Sequence, residues 1–441
     1  MTEKKGARVV VVGGGFGGLA TASHLAKLPV QVLLLDRKNH HTFQPLLYQV
    51  ATAGLSPAEI AAPLRGILNG HTNTEVLLCE VSNVDLGHKH VVTGDTEIPY
   101  DYLVVAAGAR HSYFGHEEWE PLAPGLKTVE DALEMRRRIL TAFEDAERQA
   151  ALYGRHEDLN FVIVGGGATG VELAGTISEV ARKALASDFH SIDPKRTRVI
   201  LVEAGPRVLA TYSPELSQSA EEQLKKLDVE IRKNTLVTAV KEHEIDMGGE
   251  VLPTAVTLWA AGVAASPLGR ALGQPVDHAG RVPVQPDCTI AGHPEVFVIG
   301  DLAALKDAAG KMLPGVAPVA MQMGEYVAQC IGDDLQHRPR KPFHYNDRGS
   351  LATIGRAAAV AQFPKFKLTG YPAWLAWLFI HVLFLIGFRN RVLVLIQWAW
   401  SYFTYERGAR LITDEVGKLR EQRRSPDSKV PEPEALERRR A

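Results

Sequence analysis

VVVVGGGFGGLATASHLAKLPVQVLLLD, residues 9–36, begins with a run of valines and ends with an aspartate. The valines predict a buried strand, and the glycines that follow, Gly13, Gly15 and Gly18, have the spacing G-x-G-x-x-G. A helical pattern and a second strand then lead to Asp36. This order is typical of a dinucleotide site, in which the helix N-terminus receives the pyrophosphate and the acid binds a ribose. The stretch therefore predicts a dinucleotide-binding α/β unit.

The same pattern returns in the middle of the chain. Residues 161–164 predict a strand, GGGATGVELAG (165–175) repeats the glycine spacing, and a later strand ends in Glu203. Two complete units indicate a protein that holds two dinucleotides. Glu203 favours a free 2′-hydroxyl, and hence NADH over NADPH, although Arg207 stands close enough in the sequence to keep NADPH open.

Three further strand ends fit this α/β pattern. The strand at 102–106 closes on Ala107 and Gly108, and TLWAAGV (257–263) has a similar ending. A buried strand at 297–299 leads to Asp301, at the edge where open α/β sheets bind ligands. The predicted fold class is α/β, with two Rossmann-like dinucleotide-binding domains.

Composition excludes several other kinds of site. The formal net charge of −2 gives no reason to expect nucleic-acid binding. Cys79, Cys288 and Cys330 form no C-x-x-C pair, so neither a zinc knuckle nor a redox-active dithiol is expected. His40 and His41 are adjacent and have no third ligand spaced nearby, so no metal site is expected. The first strand follows MTEKKGAR, which is too short for a signal peptide, so we expect a cytoplasmic location.

The C-terminal part changes character. PAWLAWLFIHVLFLIGF (372–388) is apolar nearly all round, RNR interrupts it, and VLVLIQWAWSYF (392–403) follows. Each run is shorter than the ~20 residues of a spanning helix, and tryptophans cluster here, so residues 372–403 are expected to lie in a membrane interface. A helical pair buried in a dimer interface is the alternative. The charged residues from 417 to 441 are expected to be disordered.

These motifs resemble the type II (alternative) NADH:quinone oxidoreductases, within the two-dinucleotide-binding flavoprotein superfamily. The resemblance runs from about Val9 to Leu411. GGGFGG, GGGATGVELAG and TIAGHPEVFVIGD belong to the superfamily, whereas FQPLLYQVATAGLSP, YDYLVVAAGARHSYFG and GVAPVAMQMGEYVA are more specific to the family. The family's quinone-site motif A-Q-x-A-x-Q is altered, because Pro318 stands where the first glutamine is usual, while Ala320 and Gln322 remain.

The resemblance implies a glutathione-reductase-like arrangement, with non-covalent FAD at the first site and NADH at the second. A hydride would pass from NADH to FAD, and two electrons would then reach a membrane quinone without proton pumping. It implies Glu172, near the nicotinamide–flavin contact, and Gln322 as catalytic residues. The residues that would hold FAD are Gly13, Gly14, Gly15, Gly18, Asp36, Arg37, Gln44, Val81, Ala107, Gly108, Asp301, Pro318 and Val319. The residues that would hold NADH are Gly165, Gly167, Gly170, Glu172, Glu203 and Gly262.

The resemblance also implies the domain limits and the setting. Residues 1–115 and 270–335 would form a discontinuous FAD domain, 116–269 the NADH domain, and 336–416 a membrane-anchoring and dimerisation region. We expect a peripheral protein on the cytoplasmic face of a bacterial inner membrane, and a homodimer.

Four alternatives differ in the electron acceptor or in the role. A disulfide reductase is excluded, because no cysteine pair stands near the first glycine loop. A sulfide:quinone oxidoreductase would need Cys288 and Cys330 to meet by folding, and a soluble protein-acceptor reductase stays open. An NADH-sensing flavoprotein of the apoptosis-inducing-factor type, with an interaction role, would leave the apolar tail unexplained.

Overall fold

The computed structural model describes residues 6–156, 158–404 and 408–412. Two parallel sheets with flanking helices form its nucleotide-binding part, which confirms the predicted pair of Rossmann-like domains. A small antiparallel sheet and two helices form the C-terminal region. The segment expected to be disordered, 417–441, lies outside the described residues.

Strands alternate with helices at the start of each nucleotide-binding unit, and runs of consecutive strands follow. In chain order they are β1 (Arg8–Val12), β2 (Gln31–Asp36), β3 (His40–Thr42), β4 (Ala61–Pro63), β5 (Thr74–Leu78), β6 (Asn83–Asp85), β7 (His90–Thr93), β8 (Thr96–Pro99), β9 (Tyr102–Val105), β10 (Ala109–His111), β11 (Asn160–Val164), β12 (Arg198–Val202), β13 (Val229–Arg232), β14 (Ala239–Val240), β15 (Glu244–Asp246), β16 (Val251–Pro253), β17 (Val256–Trp259), β18 (Val263–Ala265), β19 (Val282–Pro283), β20 (Thr289–Ile290), β21 (His293–Val298), β22 (Ala303–Ala304), β23 (Ser350–Gly355), β24 (Ala358–Gln362) and β25 (Lys367–Thr369).

The α-helices range from single turns to the long helix that connects the two nucleotide-binding units. In chain order they are α1 (Phe16–Leu25), α2 (Leu47–Ala51), α3 (Pro57–Ile60), α4 (Leu64–Ile67), α5 (Val129–Tyr153), α6 (Ala168–Glu179), α7 (Pro214–Lys226), α8 (Leu268–Ala271), α9 (Ala317–Leu335), α10 (Gly370–Phe384) and α11 (Phe388–Thr404).

The first sheet has the order β20-β21-β9-β1-β2-β5. Its strands run parallel except β20, which pairs antiparallel with β21. Val9, Val10 and Val11 of the central strand have no exposed surface, because they share one hydrophobic core with α1 and α9. The chain leaves β1 for β2 on one side, and β9 lies on the other. This reversal opens a crevice at the carboxyl ends of the strands, where α/β sheets bind ligands.

The second sheet repeats the first. Its order is β13-β12-β11-β17, and all its neighbours are parallel. An antiparallel meander follows in both units, β6-β7-β8 in the first and β14-β15-β16 in the second. The duplication seen in the glycine motifs therefore extends to whole units.

A two-stranded ladder joins the units. β10 pairs antiparallel with β18, so that the segments leaving β9 and β17 run past each other. The carbonyl of Gly108 accepts a hydrogen bond from the Ser266 N–H at 2.9 Å, and the carbonyl of Gly262 accepts one from the Ser112 N–H at 3.1 Å. The glycines that end the two strands are thus held in one piece of backbone.

The sequence from Pro57 to Leu68 predicts a single helix, and the structure shows that this prediction is wrong. The chain forms α3, the short strand β4 and α4, and β4 pairs with β3. Pro63 explains the interruption, because proline lacks an N–H and disfavours helical geometry in the residue before it. This pairing places Leu64, at the start of α4, beside Gly14 of the first glycine loop.

The C-terminal sheet, β23-β24-β25, packs on the second unit rather than on the first. The packing against α6 is close, because a Cβ added to Gly175 would lie 1.7 Å from the Ile354 carbonyl oxygen. The following helices turn to the first unit: Gln397 hydrogen-bonds Glu59, and the indole N–H of Trp398 donates to the Gln49 side-chain oxygen at 2.7 Å. The C-terminal region therefore bridges both units.

The break between the two C-terminal helices lies a few residues earlier in the chain than expected. RNR was expected to interrupt the apolar stretch, but the break is at 385–387, where Gly387 has a φ of +88°, and RNR lies inside α11. α10 has 15 residues and α11 has 17. Within the described residues, no helix combines the length and the apolar character needed to cross a bilayer.

Replacing Gly175 with alanine tests the bridge. The new methyl group would meet the Ile354 carbonyl, so we expect the free energy of unfolding to fall by about 1–3 kcal/mol, as in overpacked cores. Gly66→Ala is the matched control, because a Cβ on this helical glycine meets nothing closer than 3.8 Å. Thermal unfolding measures both, and equal melting temperatures for the two variants would contradict the described packing.

Candidate active site

The first glycine loop forms a tight turn at the end of β1. Gly13 has a φ of +102°, and a Cβ there would lie 2.4 Å from the Ala106 carbonyl oxygen. A Cβ on Gly18 would lie 1.8 Å from the Gly13 carbonyl oxygen. Only glycine fits at both positions, because the start of α1 is pressed against the strand end.

Asp36 closes the other side of this loop. Its carboxylate accepts hydrogen bonds from the Gly14 N–H at 2.5 Å and from the Lys38 N–H at 2.7 Å. Gly15 caps α1 without a side-chain hydrogen bond, and the first turn of α1 contains no acidic residue. The N-terminal N–H groups of α1 are therefore available to an anion, with a ribose acceptor beside them.

His41 lies against the same glycine loop. The sequence after Asp36 predicts a loop beside the cofactor at this position, whereas the structure places His41 in β3. Its Nδ1 is 3.0 Å from the Gly14 carbonyl oxygen, and its ring packs edge-on against Phe16. Burial lowers the pKa of His41, and its Nε2 is buried with no partner among the described residues. A buried polar atom without a partner, next to an anion-binding turn, fits a cofactor that supplies the missing contact.

The remaining predicted FAD residues occupy two places. Gly108 has a φ of +64° and open space above it, at the mouth of the crevice. Lys127 contacts two of these predicted residues, Asp301 and Gln44. Its Nζ is 3.7 Å from an Asp301 carboxylate oxygen, and its carbonyl oxygen accepts a hydrogen bond from the Gln44 side chain at 3.4 Å. Pro318 and Val319 form the first turn of α9, which meets this edge at Gly300.

Arg37 and Val81 lie farther out. Arg37 forms an exposed ion pair with Glu80 at 3.8 Å, and Val81 packs on the rim of the first core. Ala107 lies against the first glycine loop, since a Cβ on Gly13 would lie 3.4 Å from the Cα of Ala107. The geometry thus gathers most of the predicted FAD residues around one crevice and places Arg37 at its edge.

The second glycine loop has the same geometry. Gly165 has a φ of +109°, and a Cβ there would lie 2.6 Å from the Ala261 Cα. A Cβ on Gly170 would lie 1.8 Å from the Gly165 carbonyl oxygen, the same distance as in the first loop. Gly167 caps α6 without a side-chain bond. The residues fit a second dinucleotide.

Glu203 takes the place of Asp36 in the second unit. Its carboxylate accepts from the Gly166 N–H and from the Gly205 N–H, each at 2.6 Å. Arg207 is turned away, because its guanidinium donates to the carbonyls of Tyr212 and Ala210 at 2.8 and 2.7 Å. The charge at the ribose end is therefore negative, which disfavours a 2′-phosphate.

Glu172 projects from α6 toward the C-terminal sheet. The Thr353 N–H donates to it at 3.5 Å, and desolvation raises the pKa of its carboxyl to about 8. Burial and the Glu172 carboxyl together raise the pKa of Tyr212. A carboxyl that keeps its proton near neutral pH is suited to proton transfer.

Gln322 is not joined to Glu172 by any contact among the described residues. Its side chain makes two hydrogen bonds with the backbone of Asn346, donating at 3.0 Å and accepting at 2.9 Å. It lines an outer groove with His24 and Lys27. The structure thus places this predicted catalytic residue at a joint between α9 and the C-terminal region.

The three cysteines do not have the properties of reactive thiols beside either glycine loop. All three are free thiols, and Cys288 and Cys330 belong to the first core. Burial raises the pKa of Cys330 to about 11 and raises that of Cys288 as well. Protonated buried thiols are poor nucleophiles, which argues against sulfur chemistry.

An aromatic cavity at the base of the C-terminal helices was missed by the sequence reasoning. It lies where α2, α6, β23 and the two C-terminal helices meet, and Thr353 links it to Glu172. The family-specific segment 43–57 and the clustered tryptophans were the available signals, but neither indicates that the two meet. The aromatic residues around it are Tyr48, Trp374, Trp377, Trp398 and Tyr402.

Comparison with known proteins covers nearly the whole chain. Residues 7–324 match the family model of the pyridine nucleotide-disulphide oxidoreductases, and residues 348–405 match that of the NDH2 C-terminal domain. The structure of NDH2 from Plasmodium falciparum in complex with NADH superposes with a TM-score of 0.83 at 20% identity, covering 92% of this chain and 100% of that chain. The sulfide:quinone oxidoreductase of Aquifex aeolicus gives 0.69 at 20% identity, covering 87% and 92%. At this identity both share the fold.

A relative with higher sequence identity decides between the families of these two structures. The type II NADH:quinone oxidoreductase NdhA of Mycobacterium tuberculosis is 46% identical, over 93% of this chain and 90% of its own length. Together with the two matched family models and the duplicated nucleotide cradles, this relationship shows that the chain belongs to the type II NADH:quinone oxidoreductases.

Proposed function

We propose that the protein oxidises NADH at the second glycine loop and reduces a membrane quinone, with non-covalent FAD held at the first. The activity class follows from the family. The cofactor's identity, the membrane surface and the roles of individual residues are proposed from the geometry.

The observation that carries this function is the ladder of β10 and β18. It ties Gly108, at the mouth of the first cradle, to Gly262, at the mouth of the second, through reciprocal backbone hydrogen bonds. Two nucleotides bound at these mouths would meet across it. FAD, when bound, supplies the redox chemistry, accepting a hydride from NADH and returning two electrons to a quinone.

The protein's own groups position the substrates. Asp36 and the N-terminus of α1 would hold the ribose and pyrophosphate of FAD, and Glu203 and the N-terminus of α6 those of NADH. Glu172 would hold a proton beside the aromatic cavity, which we assign to the quinone head. The cavity lies under helices that contact α2 of the first unit through the hydrogen bond from Trp398 to Gln49.

The lipid surface is proposed for the outer faces of α10 and α11. Their inner faces are buried, whereas large apolar side chains cover the outside. An exposed apolar surface of this kind marks a membrane or protein partner, and aromatic residues favour a membrane interface. The exposed side chains are Tyr371, Leu375, Phe379, Leu383, Phe384, Val392, Leu395, Ile396, Trp400 and Phe403. The cytoplasmic face of the membrane and the homodimer stay predictions.

An anaerobic titration of the flavin-loaded protein tests the function. NADH should bleach the flavin absorbance, and a short-chain quinone should restore it rapidly. In Glu203→Gln the NADH concentration for half bleaching should rise about tenfold or more, because a hydrogen bond to a charged group is lost. Glu230→Gln, a carboxylate change on the neighbouring strand, should match the wild type.

Other outcomes identify the alternatives. Bleaching by sulfide but not by NADH would indicate a sulfide:quinone oxidoreductase. Bleaching without recovery would indicate a protein acceptor or a signalling role. Equal NADH dependence in Glu203→Gln and Glu230→Gln would contradict the assignment of Glu203.

The pH profile tests Glu172. Its carboxyl is protonated below about pH 8 and ionised above it, so quinone reduction should fall as the pH rises through this value. Glu172→Gln keeps the shape without a titrating proton, so its activity should be lower, by roughly 100-fold, and flat with pH. Steady-state rates with a soluble quinone measure this, and an unchanged inflection in the variant would assign the titration to another group.

Liposome sedimentation tests the lipid surface. Phe379→Asp combined with Ile396→Asp should weaken binding to liposomes by about tenfold or more, because two apolar side chains become charged. Activity with a soluble quinone should persist. Leu152→Asp changes an apolar side chain that is 66% exposed, compared with 65% for Phe379, and should bind normally. Full retention of the double variant on liposomes would place the membrane surface elsewhere.

A further inference from the structure

Phe114 has an unusual position for a large apolar residue. It is 67% exposed, and its φ of +56° lies in the left-handed region that bulky residues seldom adopt. Such strain persists where the surroundings impose it, and it concentrates at functional sites. Phe114 stands at the end of the segment that leaves β10, between the two nucleotide-binding units.

The ring of Phe114 lies on Gly262. A Cβ built on that glycine would be 2.5 Å from the ring's Cζ and 3.1 Å from its Cε2. The ring also faces Trp259, with centroids 6.4 Å apart and planes at 57°. Trp259 itself is fixed, because it is buried and its indole N–H donates to the Ser112 carbonyl at 2.8 Å. The tip of the phenyl ring thus covers the backbone face of Gly262.

The duplicated fold supplies an internal comparison. Gly108 ends β9 as Gly262 ends the segment after β17, and the ladder relates the two positions. Nothing lies within 4 Å of a Cβ built on Gly108, so the first mouth is open. The second mouth is covered by Phe114. The difference matches the proposed occupants, a cofactor that stays and a substrate that must enter and leave.

We propose that the Phe114 ring is a cover for the NADH site that competes with the nucleotide for the face of Gly262. This inference rests on the proposed function, since it takes NADH as the ligand of the second cradle. The ring packs on Gly262 in the free protein and swings outward when NADH or NAD⁺ binds. An exposed aromatic side chain moves on the nanosecond scale, so the cover adds no slow step.

The cover acts on affinity. When a site is open in only a fraction of the molecules, the apparent dissociation constant is that of the open site divided by this fraction, so binding is weaker. The same competition favours release of NAD⁺, because the ring returns to Gly262 as the product leaves. The contact with Trp259 holds the ring closed, but the ring is 67% exposed and has few other neighbours to hold it, so the closed form is only moderately preferred.

Titration calorimetry of the flavin-loaded protein with NAD⁺ tests the cover without turnover. Phe114→Ala removes the ring and keeps a Cβ, so the backbone strain is the same in both proteins. We expect NAD⁺ to bind about fivefold more tightly to the variant, which corresponds to about 1 kcal/mol. NAD⁺ should inhibit its turnover more strongly by a similar factor.

Two control variants accompany it. Phe114→Leu keeps a branched apolar side chain next to Gly262 and should bind NAD⁺ with close to the wild-type affinity. Leu152→Ala removes an apolar side chain of similar exposure, 66%, elsewhere in the second unit and should also bind normally. Unchanged or weaker binding by Phe114→Ala would overturn the cover. Absence of NADH and NAD⁺ binding in the wild type would instead overturn the proposed function, and the cover with it.

A spectroscopic measurement on the intact chain is independent of the stability of the alanine variant. With 2-fluorophenylalanine at position 114, whose fluorine lies on Cδ and away from the ring tip at Gly262, the fluorine resonance should shift on addition of NAD⁺, as the ring leaves Gly262 and Trp259. The same label at position 379, on the lipid-facing surface of α10, should not shift. A resonance at 114 that stays fixed at saturating NAD⁺ would show that the ring does not move and would overturn the proposal.

Discussion

In each G-x-G-x-x-G loop, the carbonyl oxygen of the first glycine leaves no space for a side chain on the last glycine of the motif. The clearance is the same in both units, 1.8 Å from the oxygen to a Cβ built on Gly18 or on Gly170. This contact fixes where each helix begins relative to its strand. The position of the helix in turn brings the loop N–H groups to Asp36 and to Glu203. The acids, the anion sites and the strand ends all depend on this close approach.

Much of this arrangement could be predicted from the sequence because it is local. Strand, glycines, helix and acid follow one another within short segments, and each has a residue pattern with a direct geometric meaning. The duplication then made the second site as readable as the first. The fold details that the sequence did not predict are non-local. The strand β4 forms because it pairs with β3. From sequence alone Gly175 is only a poor helix former, and its role becomes clear from the packing of β23 against it.

The candidate site shows the same division. Glu172 could be placed from its motif, but its raised pKa depends on burial under the C-terminal sheet, which no local pattern indicates. Gln322 was assigned from its motif, yet its side chain is engaged by the backbone of a distant segment. The sequence indicated that His41 lies in a segment beside the cofactor but not which contact it makes, and it did not single out Phe114. Each residue matters through a neighbour that folding brings close.

Arg207 has a consequence beyond the binding site. Cells keep two pools of reduced nicotinamide, one drained by respiration and one reserved for biosynthesis, and a phosphate on a single ribose distinguishes them. Because backbone carbonyls bind the Arg207 guanidinium, the carboxylate of Glu203 would set the charge that a ribose meets in the proposed NADH site. In the proposed function, an arginine held by its own loop in this way would keep the biosynthetic pool from being spent on electron transport.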